Sequence, residues 1–443
     1  MKIKIILSAL ILALSVAGCG GKEDKSDIKP AEERIKKEEA EKKNKDGEKK
    51  EEKITVLVPD YAVPPEKLVE DFTDEYGIVP EFEKIHWSKI SEAVEYGDIE
   101  TDVVQVDWTW VGKYKNMDLI SPMSVSDEDE KAMPSIESFR IGDEIYAKPY
   151  FNDFKLGFYN QKHYSEAEIS SPPETWDEVY RNSEKIRERN IARYPYHIVL
   201  NNTKDSAIDF ISLAYSRNGK VFNEDGSFDY DSLKDTLAYI DMMYKRELIS
   251  PDDEEIYISD DYRKIATGET SFMTGASSYI VGLNDKTKSS ISGQVKDTRI
   301  PGKEGLTESI LACPEGLAVM KNSDKKESAQ KYIDWFTSEE TQKKLFEYSN
   351  IIPSRINILE EIISSGAIKS EGAMIESAKM ASSPIPDETK YHFQDIMDIT
   401  AYSLYEMTKE GRSLEETAEF MDRTVRNVIA GNPVPEEVRE TEN

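Results

Sequence analysis

Apolar runs and amphipathic stretches alternate along the chain from residue 54. The apolar run at residues 54–58 predicts a buried strand, and two further strands are predicted at residues 79–85 and 102–107. The stretch after the first strand keeps the 3.6-residue period of a helix at its apolar positions, Leu68, Val69, Phe72 and Tyr76. A second helix is predicted at about 88–96, before the third strand. This alternation is typical of a mostly parallel sheet covered by helices, so we predict an α/β fold.

Helical signals dominate the later sequence. Thr175 and Glu178 form a capping-box pattern, in which the threonine opens a helix and the glutamate bonds back to it. A stripe of apolar residues with helical spacing follows, at Leu233, Leu237, Ile240 and Tyr244. The roughly 390 residues from position 54 onward exceed what one hydrophobic core normally supports, so we expect two lobes.

The N-terminus has the composition of an export signal. Lys2 and Lys4 precede an apolar run at residues 5–17, which ends in small side chains before Cys19. The run is too short to cross a bilayer as a permanent helix. A charged start, an apolar middle and a small-residue end are typical of a signal peptide, which we predict at residues 1–18. The mature chain is therefore expected outside the cytoplasm.

The residues around Cys19 resemble the lipobox of bacterial lipoproteins. The stretch is Val16-Ala17-Gly18-Cys19, and the lipobox cysteine becomes the acylated first residue after cleavage. The resemblance implies that Cys19 anchors the protein to the bacterial cell membrane, at the cell surface or on the periplasmic face. An ordinary signal peptide with an incidental cysteine is the alternative. Once Cys19 is acylated, only Cys313 remains, so no intramolecular disulfide can form.

A charged segment separates Cys19 from the first predicted strand. Residues 22–53 contain 12 basic and 12 acidic side chains and almost no apolar ones, so no core can form there. The segment is either a solvated helix with many ion pairs or a disordered tether, and both serve as a spacer. We predict an anchored linker at residues 19–53 and a flexible tail at residues 432–443.

Acidic residues dominate the remaining chain. From residue 54 onward there are 43 basic and 75 acidic residues, a net charge of about −32. A field of this sign repels nucleic acid and anionic membrane surfaces, which excludes both as main partners. The charge is compatible with a neutral or cationic solute.

The sequence contains no constellation that points to catalysis. Carboxylates are too numerous for any pair to indicate glycoside hydrolysis, and the sequence has neither a Gly-rich phosphate loop nor a G-x-S-x-G motif. The four histidines lack metal-ligand spacing, at positions His86, His163, His197 and His392. We therefore expect no catalytic residue, no bound metal and no cofactor.

Several stretches carry a family pattern in a fixed order. They are Thr101–Trp108 with Leu119–Pro122, Ala147–Asp153 with Leu156–Asn160, Pro173–Asp177, Thr267–Gly275, Ile300–Gly302 and Ser338–Gln342. Each stretch alone is a weak signal, but their order and spacing together are specific. In these positions the chain resembles family 1 of the extracellular solute-binding proteins, the group similar to maltose-binding protein.

The resemblance implies a fold and a function. Two α/β lobes would be joined by hinge strands, with the ligand in the cleft between them. We expect one lobe at residues 54–158 plus 290–345 and the other at residues 159–289 plus 346–431. The protein would be the monomeric receptor of an ABC importer, which captures a small solute, foremost a mono- or oligosaccharide, and delivers it to the transmembrane permease.

Polar and aromatic residues follow each predicted strand, where open α/β sheets bind their ligands. These candidates are Asp60 and Tyr61 after the first strand, Trp87 after the second, and Asp107, Trp108 and Trp110 after the third. Aromatic rings stack on the apolar C–H faces of sugars, and carboxylates accept hydrogen bonds from sugar hydroxyls. The alternatives are core packing for the tryptophans and helix capping for Asp107.

Three further candidates lie where the family motif approaches the hinge. They are Phe151, Asn152 and Asp153. An amide and a carboxylate at this point could hold adjacent sugar hydroxyls. Alternatively, Asp153 hydrogen-bonds the backbone of the hinge.

The chain departs from the family pattern at two places near the expected cleft. Relatives often carry an aromatic residue where this chain has Ser277, and Tyr279 could replace it. The turn before a late strand brings Glu315 toward the cleft, where its carboxylate could bind a hydroxyl or a cationic group. Arg299, near another loop, could bind an anionic one.

Two other functions stay open. A receptor of the same fold for a polyamine or another small cationic solute would suit an acidic, aromatic cleft, and high salt would weaken its binding. A surface carbohydrate-active enzyme or adhesin is the second alternative. Turnover of glycans by the purified protein would identify such an enzyme.

Overall fold

The structure, a computed structural model, describes residues 52–97, 99–251 and 262–439. The predicted signal peptide, Cys19 and most of the predicted linker lie outside these residues. Within the described residues, no helix has the length and apolar character needed to cross a membrane.

Strands and helices alternate through the described chain. The strands are β1 (Glu52–Val58), β2 (Ile78–Lys84), β3 (Val103–Asp107), β4 (Arg140–Ile141), β5 (Glu144–Ile145), β6 (Lys148–Phe151), β7 (Lys155–Asn160), β8 (Tyr196–His197), β9 (Phe272–Ala276), β10 (Val295–Thr298), β11 (Ile310–Leu311), β12 (Glu315–Val319) and β13 (Ala381–Ser382). The helices are α1 (Glu66–Tyr76), α2 (Trp87–Glu95), α3 (Val111–Asn116), α4 (Asp127–Ala132), α5 (Gln161–Glu166), α6 (Trp176–Glu188), α7 (Lys204–Asn218), α8 (Tyr230–Lys245), α9 (Arg263–Ala266), α10 (Tyr279–Asn284), α11 (Lys326–Phe336), α12 (Glu339–Ser349), α13 (Ile356–Ser364), α14 (Ala373–Met380), α15 (Asp387–Tyr391), α16 (Phe393–Thr408), α17 (Leu414–Ile429) and α18 (Glu436–Arg439). Short 3-10 helices lie at Asp60–Ala62 and Pro134–Phe139.

The first sheet has five strands in the order β2-β1-β3-β12-β6. β1 runs parallel to β2 and β3, whereas β12 is antiparallel to both of its neighbours. The carboxyl ends of β1, β2, β3 and β6 therefore lie at the same edge as the beginning of β12. The predicted alternation of three strands and two helices in this part of the chain is confirmed.

β1 begins inside the segment that the sequence predicts to be linker. Its backbone pairs with β2 from the first residue, with Glu52 opposite Ile78 and Lys53 opposite Val79. The strand thus includes the last two residues of the predicted linker. Backbone pairing at a strand end does not require apolar side chains, so composition alone does not locate its first residues.

The second sheet has four strands in the order β10-β7-β9-β8. β7 is antiparallel to β10 and β9, while β8 is parallel to β9. Since Lys155 at the start of β7 lies opposite Ala276 at the end of β9, both residues are at one edge of this sheet. The lobe boundaries predicted at residues 158 and 290 do not follow the sheets, because β7 and β10 belong to one sheet with β8 and β9.

Side chains of β1 alternate between two helix-covered faces. Val56 and Val58 are fully buried in a cluster with Phe72 of α1 and Tyr332 of α11. Leu57 points the other way and belongs to the larger cluster of buried residues. A sheet buried on both faces explains why the strand is an unbroken apolar run in the sequence.

Local signals set several helix boundaries. The side chain of Thr175 accepts a bond from the backbone N–H of Glu178, and the glutamate carboxylate accepts one from the N–H of Thr175. The predicted capping box of α6 is thus confirmed. α1 ends at Gly77, whose φ of 68° favours glycine because other residues are strained there.

Within the predicted tail, residues up to 439 include a short helix. α18 lies against α16, and Val434 and Val438 are buried. Two valines four residues apart supply one apolar face for this short helix.

Candidate functional site

A cavity of about 330 Å³ lies where an edge of the first sheet meets an edge of the second. The first sheet contributes residues after β1, β2, β3 and β6 and at the start of β12. The second contributes residues at the start of β7 and after β8 and β9, with α7 and α16 closing the wall. The lining residues are Tyr61, Trp87, Asp107, Trp108, Thr109, Trp110, Phe151, Asp153, Phe154, Lys155, Val199, Lys204, Asp205, Ile208, Asp209, Ala276, Ser278, Tyr279, Cys313, Glu315, Gln394 and Met397.

Most of the predicted ligand-binding residues line this cavity. They are Tyr61, Trp87, Asp107, Trp108, Trp110, Phe151, Asp153, Tyr279 and Glu315. Because strand ends from both sheets meet at the cavity, residues that are far apart in the sequence become neighbours. The strand-end rule therefore places the candidates correctly in space, although their contact with a ligand stays a prediction.

Asp60, Asn152 and Arg299 lie outside the cavity, against expectation. Asp60 is exposed at the start of a 3-10 helix. Asn152 is buried, and its N–H donates to the carbonyl oxygen of Ile352, while the residues on either side of it face the cavity. Arg299 follows β10, and its guanidinium donates to the carbonyl oxygen of Thr307 at 3.0 Å.

The tryptophans are both buried and part of the cavity wall. Trp108 and Trp110 are only 5% and 6% exposed. Trp108 packs against Phe393 of α16 with ring centroids 5.2 Å apart, and Trp110 lies nearly parallel to Trp87 at 6.3 Å. Core packing and a place in the cavity wall, which the sequence presents as alternatives, are thus both realised.

Asp107 ends β3 and holds the turn that leads to α3. Its Oδ1 accepts hydrogen bonds from the backbone N–H of Thr109 at 2.9 Å and from the Thr109 hydroxyl at 2.6 Å. Burial raises the pKa of the Asp107 carboxyl to about 6, and the two bonds from Thr109 oppose that rise. The carboxylate therefore stabilises the turn before the helix and also lines the cavity.

Glu315 begins β12 and accepts hydrogen bonds from three neutral donors. The hydroxyl groups of Tyr61 and Tyr150 lie at 2.8 and 2.6 Å, and Nε2 of Gln105 lies at 2.9 Å. Burial raises the pKa of Glu315 to about 7, although the tyrosine bonds favour the ionised form. The side chain is therefore held in place by neutral donors, and none of its described contacts is with a positive group.

Asp153 connects the first sheet to the end of β9. Its oxygens accept bonds from the hydroxyl groups of Ser277 and Ser278, at 2.7 and 2.8 Å, and from the N–H of Ser278 at 3.1 Å. Burial raises the pKa of this carboxyl. Both of its oxygens accept hydrogen bonds from the residues that follow β9, and Asp153 also lines the cavity. Tyr279, directly after these serines, faces the cavity.

An ion pair in the cavity wall was not predicted. Nζ of Lys155 lies 2.5 Å from Asp209 of α7, and both side chains are buried. Asp209 also accepts a bond from the N–H of Val199. A signal is visible in the sequence, since Asp209 interrupts the apolar run 207–211 and Lys155 stands between two apolar neighbours. A charge in such a run predicts a buried partner.

One side chain joins the two walls of the cavity. Nε2 of Gln394, on α16, donates to the carbonyl oxygen of Thr109, 2.9 Å away. Its Oε1 accepts a bond from Nζ of Lys204 at the start of α7. These residues lie on helices far from the predicted strand ends, so sequence reasoning missed them.

A larger hollow of about 910 Å³ lies at the other end of β7. It is lined by Tyr159 and by residues of α5 and the following loop, with Gly293 and Gln294. None of the described residues that line it comes from the first sheet. We assign the binding site to the smaller cavity, because residues of both sheets, three tryptophans and several carboxylates meet there.

Two α/β sheets enclosing one cavity define a two-lobed binding protein, and solved structures share this fold. The sugar-binding protein MalE from the phytopathogen Xanthomonas citri matches with a TM-score of 0.74 and 18% identity, over 88% of this chain and 100% of that one. Maltose-bound T. maritima MalE3 matches with a TM-score of 0.68 and 19% identity, over 85% of this chain and 99% of that one. An ABC transporter solute-binding protein from Agrobacterium vitis S4, with bound D-mannitol, matches with a TM-score of 0.67 and 16% identity, over 87% of this chain and 100% of that one.

Residues 58–343 match the family model of the bacterial extracellular solute-binding proteins, and the chain belongs to this family. Both the predicted family and the predicted fold are confirmed. Membership of an extracellular family places the protein outside the cytoplasm. It also makes this chain a binding protein of solutes rather than a member of an enzyme family.

Proposed function

We propose that this chain is the substrate-binding subunit of an ABC importer, which captures a saccharide in the cavity and delivers it to the transmembrane permease. The observation that carries the proposal is the composition of the cavity wall. Three tryptophans and several carboxylates line a volume of about 330 Å³, which is within the range of small-molecule sites.

The chemistry of the wall suits a sugar. Trp87, Trp108 and Trp110 offer apolar ring surface to the C–H faces of a saccharide. Asp107 keeps Oδ2 without a hydrogen-bond partner among the described residues, and a sugar hydroxyl could donate to it. Binding of maltose and of D-mannitol by proteins of the same fold supports a saccharide or a related polyol.

The proposal extends to the position of the protein in the cell. An acyl group on Cys19 would hold it at the membrane, with the charged segment as a spacer. The protein would act as a monomer. Closure of its two lobes on the ligand would form the surface that the permease recognises. A partition that follows the sheets assigns Lys155–Asn160 and Val295–Thr298 to the second lobe.

The first experiment is a thermal-shift screen of the chain from residue 19 onward, carrying Cys19→Ser to prevent acylation. Mono- and oligosaccharides, amino acids, polyamines and metal ions are compared. A ligand present at a hundred times its Kd stabilises the folded state by about 2.7 kcal/mol. Stabilisation by saccharides supports the proposal, whereas stabilisation by polyamines or metal ions alone contradicts it.

A variant separates binding in the cavity from binding elsewhere. Trp87→Ala should roughly halve the saccharide-induced stabilisation at that ligand concentration, because its ring is part of the cavity wall and only partly buried. Trp335, on α11, is outside the cavity and also partly buried, so Trp335→Ala is the matched control. Turnover of the saccharide by the purified protein would identify an enzyme instead.

A further inference from the structure

The cavity carries more negative than positive side chains. Its charged residues are Asp107, Asp153, Asp205, Asp209, Glu315, Lys155 and Lys204. Lys155 is paired with Asp209 at 2.5 Å. Lys204 lies 3.5 Å from Asp398, which is not part of the cavity wall. Both lysines thus already have a carboxylate partner.

Asp107 and Glu315 lie directly opposite each other on neighbouring strands. They are paired in the antiparallel register of β3 and β12, which directs both side chains to the same face of the sheet. Like charges in this arrangement destabilise a sheet. Neither carboxylate forms an ion pair with any residue in the described part of the chain.

Each of these carboxylates leaves one oxygen little used. Oδ1 of Asp107 accepts both bonds from Thr109, whereas Oδ2 has no partner among residues 52–97, 99–251 and 262–439. Oε2 of Glu315 accepts from all three of its donors, whereas Oε1 accepts from Tyr61 alone. Two half-buried carboxylates that lack an ion-pair partner among the described residues would be stabilised by a positive charge that comes with the ligand.

The donor set does not suit a metal ion. In the part of the chain that the structure describes, no group of three or more His, Cys, Asp or Glu side chains is placed to hold one. A protonated amine has smaller demands, since it donates up to three hydrogen bonds and needs only two carboxylate oxygens.

We propose that the solute carries a protonated amine, which binds between Asp107 and Glu315 while the sugar ring contacts the tryptophans. This inference rests on the proposed function and narrows it, because the saccharide becomes an amino sugar with a free amine. An N-acetylated sugar would lose the positive charge and leave the two carboxylates uncompensated. A neutral sugar would likewise leave the two carboxylates without a positive partner from the ligand.

The surroundings of Glu315 predict a pH dependence. The titratable groups that face it are Tyr61, Tyr150, Asp107 and Asp153. Burial raises the pKa of Asp107 to about 6 and that of Glu315 to about 7. Between pH 6 and 8 both carboxyls lose their protons, so the affinity for an amine should rise over this range.

The test uses sets of sugars that differ in one substituent. Glucosamine, glucose and N-acetylglucosamine form the first set, the galacto and manno series form the next two, and the β-1,4-linked disaccharides of glucosamine, glucose and N-acetylglucosamine form the fourth. Titration calorimetry on the chain from residue 19 onward, with Cys19→Ser, gives the Kd of each sugar at pH 6, 7 and 8. Spermidine is included as a cation without a sugar ring.

Two isosteric variants locate the charge. Glu315→Gln keeps the shape of the side chain and removes its charge, and Asp107→Asn does the same across the strand pair. The control is Glu83→Gln, at an exposed carboxylate of β2 that is outside the cavity. Circular dichroism and thermal melting show whether each variant is folded.

We expect an amino sugar to bind at least about 10-fold more tightly than its hydroxy and N-acetyl forms, because a charge-assisted hydrogen bond replaces a neutral one. Glu315→Gln and Asp107→Asn should each remove most of that preference, while Glu83→Gln keeps it. Equal or tighter binding of the neutral forms, or no binding of any amino sugar, overturns the inference but leaves a saccharide receptor intact if neutral sugars bind. Binding of spermidine without any saccharide overturns the proposed function itself.

Discussion

Gln394 donates a hydrogen bond from its side-chain amide to the carbonyl oxygen of Thr109, 2.9 Å away. Thr109 follows β3 of the first sheet, whereas Gln394 belongs to α16, which packs on α7 beside the second sheet. A single side chain therefore spans the cavity from one wall to the other. Removing it should change how readily the lobes close.

Gln394→Ala should favour a more open form of the protein. The lost bond contributes about 1 kcal/mol, so affinity for the solute should fall about fivefold. Small-angle X-ray scattering of the unliganded protein should show a larger radius of gyration. Gln330→Ala is the control, because that side chain bonds Asp334 within α11. Identical scattering curves for the two variants would contradict the role of Gln394.

Glu315 should make the unliganded protein less stable as pH rises. Its pKa is raised by burial from 4.5 to about 7, so the folded state binds one more proton than the unfolded state between these values. The stability that Glu315 contributes is therefore lost as pH increases through this window. The free energy of unfolding of Glu315→Gln, relative to the parent, should rise by about 3 kcal/mol between pH 4.5 and 8.

Urea unfolding at several pH values measures this difference. Comparison with the parent is essential, because carboxyls with a lowered pKa, such as Asp129 beside Lys148 and Arg355, act in the opposite direction. Glu83→Gln, at an exposed carboxylate of β2, is the control for the loss of one negative charge. A constant difference between Glu315→Gln and the parent would show that the carboxyl does not titrate in this range.

The tryptophans should separate into two functional groups. Trp108 is 5% exposed and packs on Phe393, so Trp108→Ala should lower the free energy of unfolding by about 3–5 kcal/mol. Trp87 is less buried, and Trp87→Ala should cost less than about 2 kcal/mol of stability. Trp87→Ala should still weaken ligand binding about 10-fold. Denaturant unfolding and calorimetry on both variants measure the two effects.

The ion pair of Lys155 and Asp209 should show strong coupling. Lys155→Met leaves the Asp209 carboxylate buried without its ammonium partner, which should cost about 3–5 kcal/mol. The double variant with Asp209→Leu removes both charges and should recover most of that loss. A double-mutant cycle by urea unfolding gives the coupling energy, and additive losses would contradict this account.

More of the fold than of the binding site could be predicted from the sequence. Periodicity alone locates β1 and α1, because a strand buried on both faces and a helix with one apolar face leave different patterns in the sequence. Periodicity does not locate α18, since two valines in a polar segment are too few to indicate a helix. Val434 and Val438 are buried only because α16 lies beside them.

Part of the site could also be predicted from the sequence, and part could not. Residues that follow strands, such as Asp107 and Trp108, were found because the ends of parallel strands share an edge. Gln394 and Asp209 were missed, because they reach the cavity from helices whose position depends on tertiary packing. The sequence could not show that Asn152 lies outside the cavity while its two neighbours line it. The local backbone conformation decides which of these side chains faces the cavity.

The place of β12 in the first sheet sets an order for folding. β12 lies between β3 and β6, yet residues 152–314, which include all of the second sheet, come before it in the chain. As a ribosome produces the chain, the first sheet cannot be completed until all strands of the second sheet have been made. Contacts so distant in sequence make folding slow. The nascent protein should therefore stay incompletely folded, and accessible to chaperones, until nearly three hundred residues beyond Cys19 have emerged.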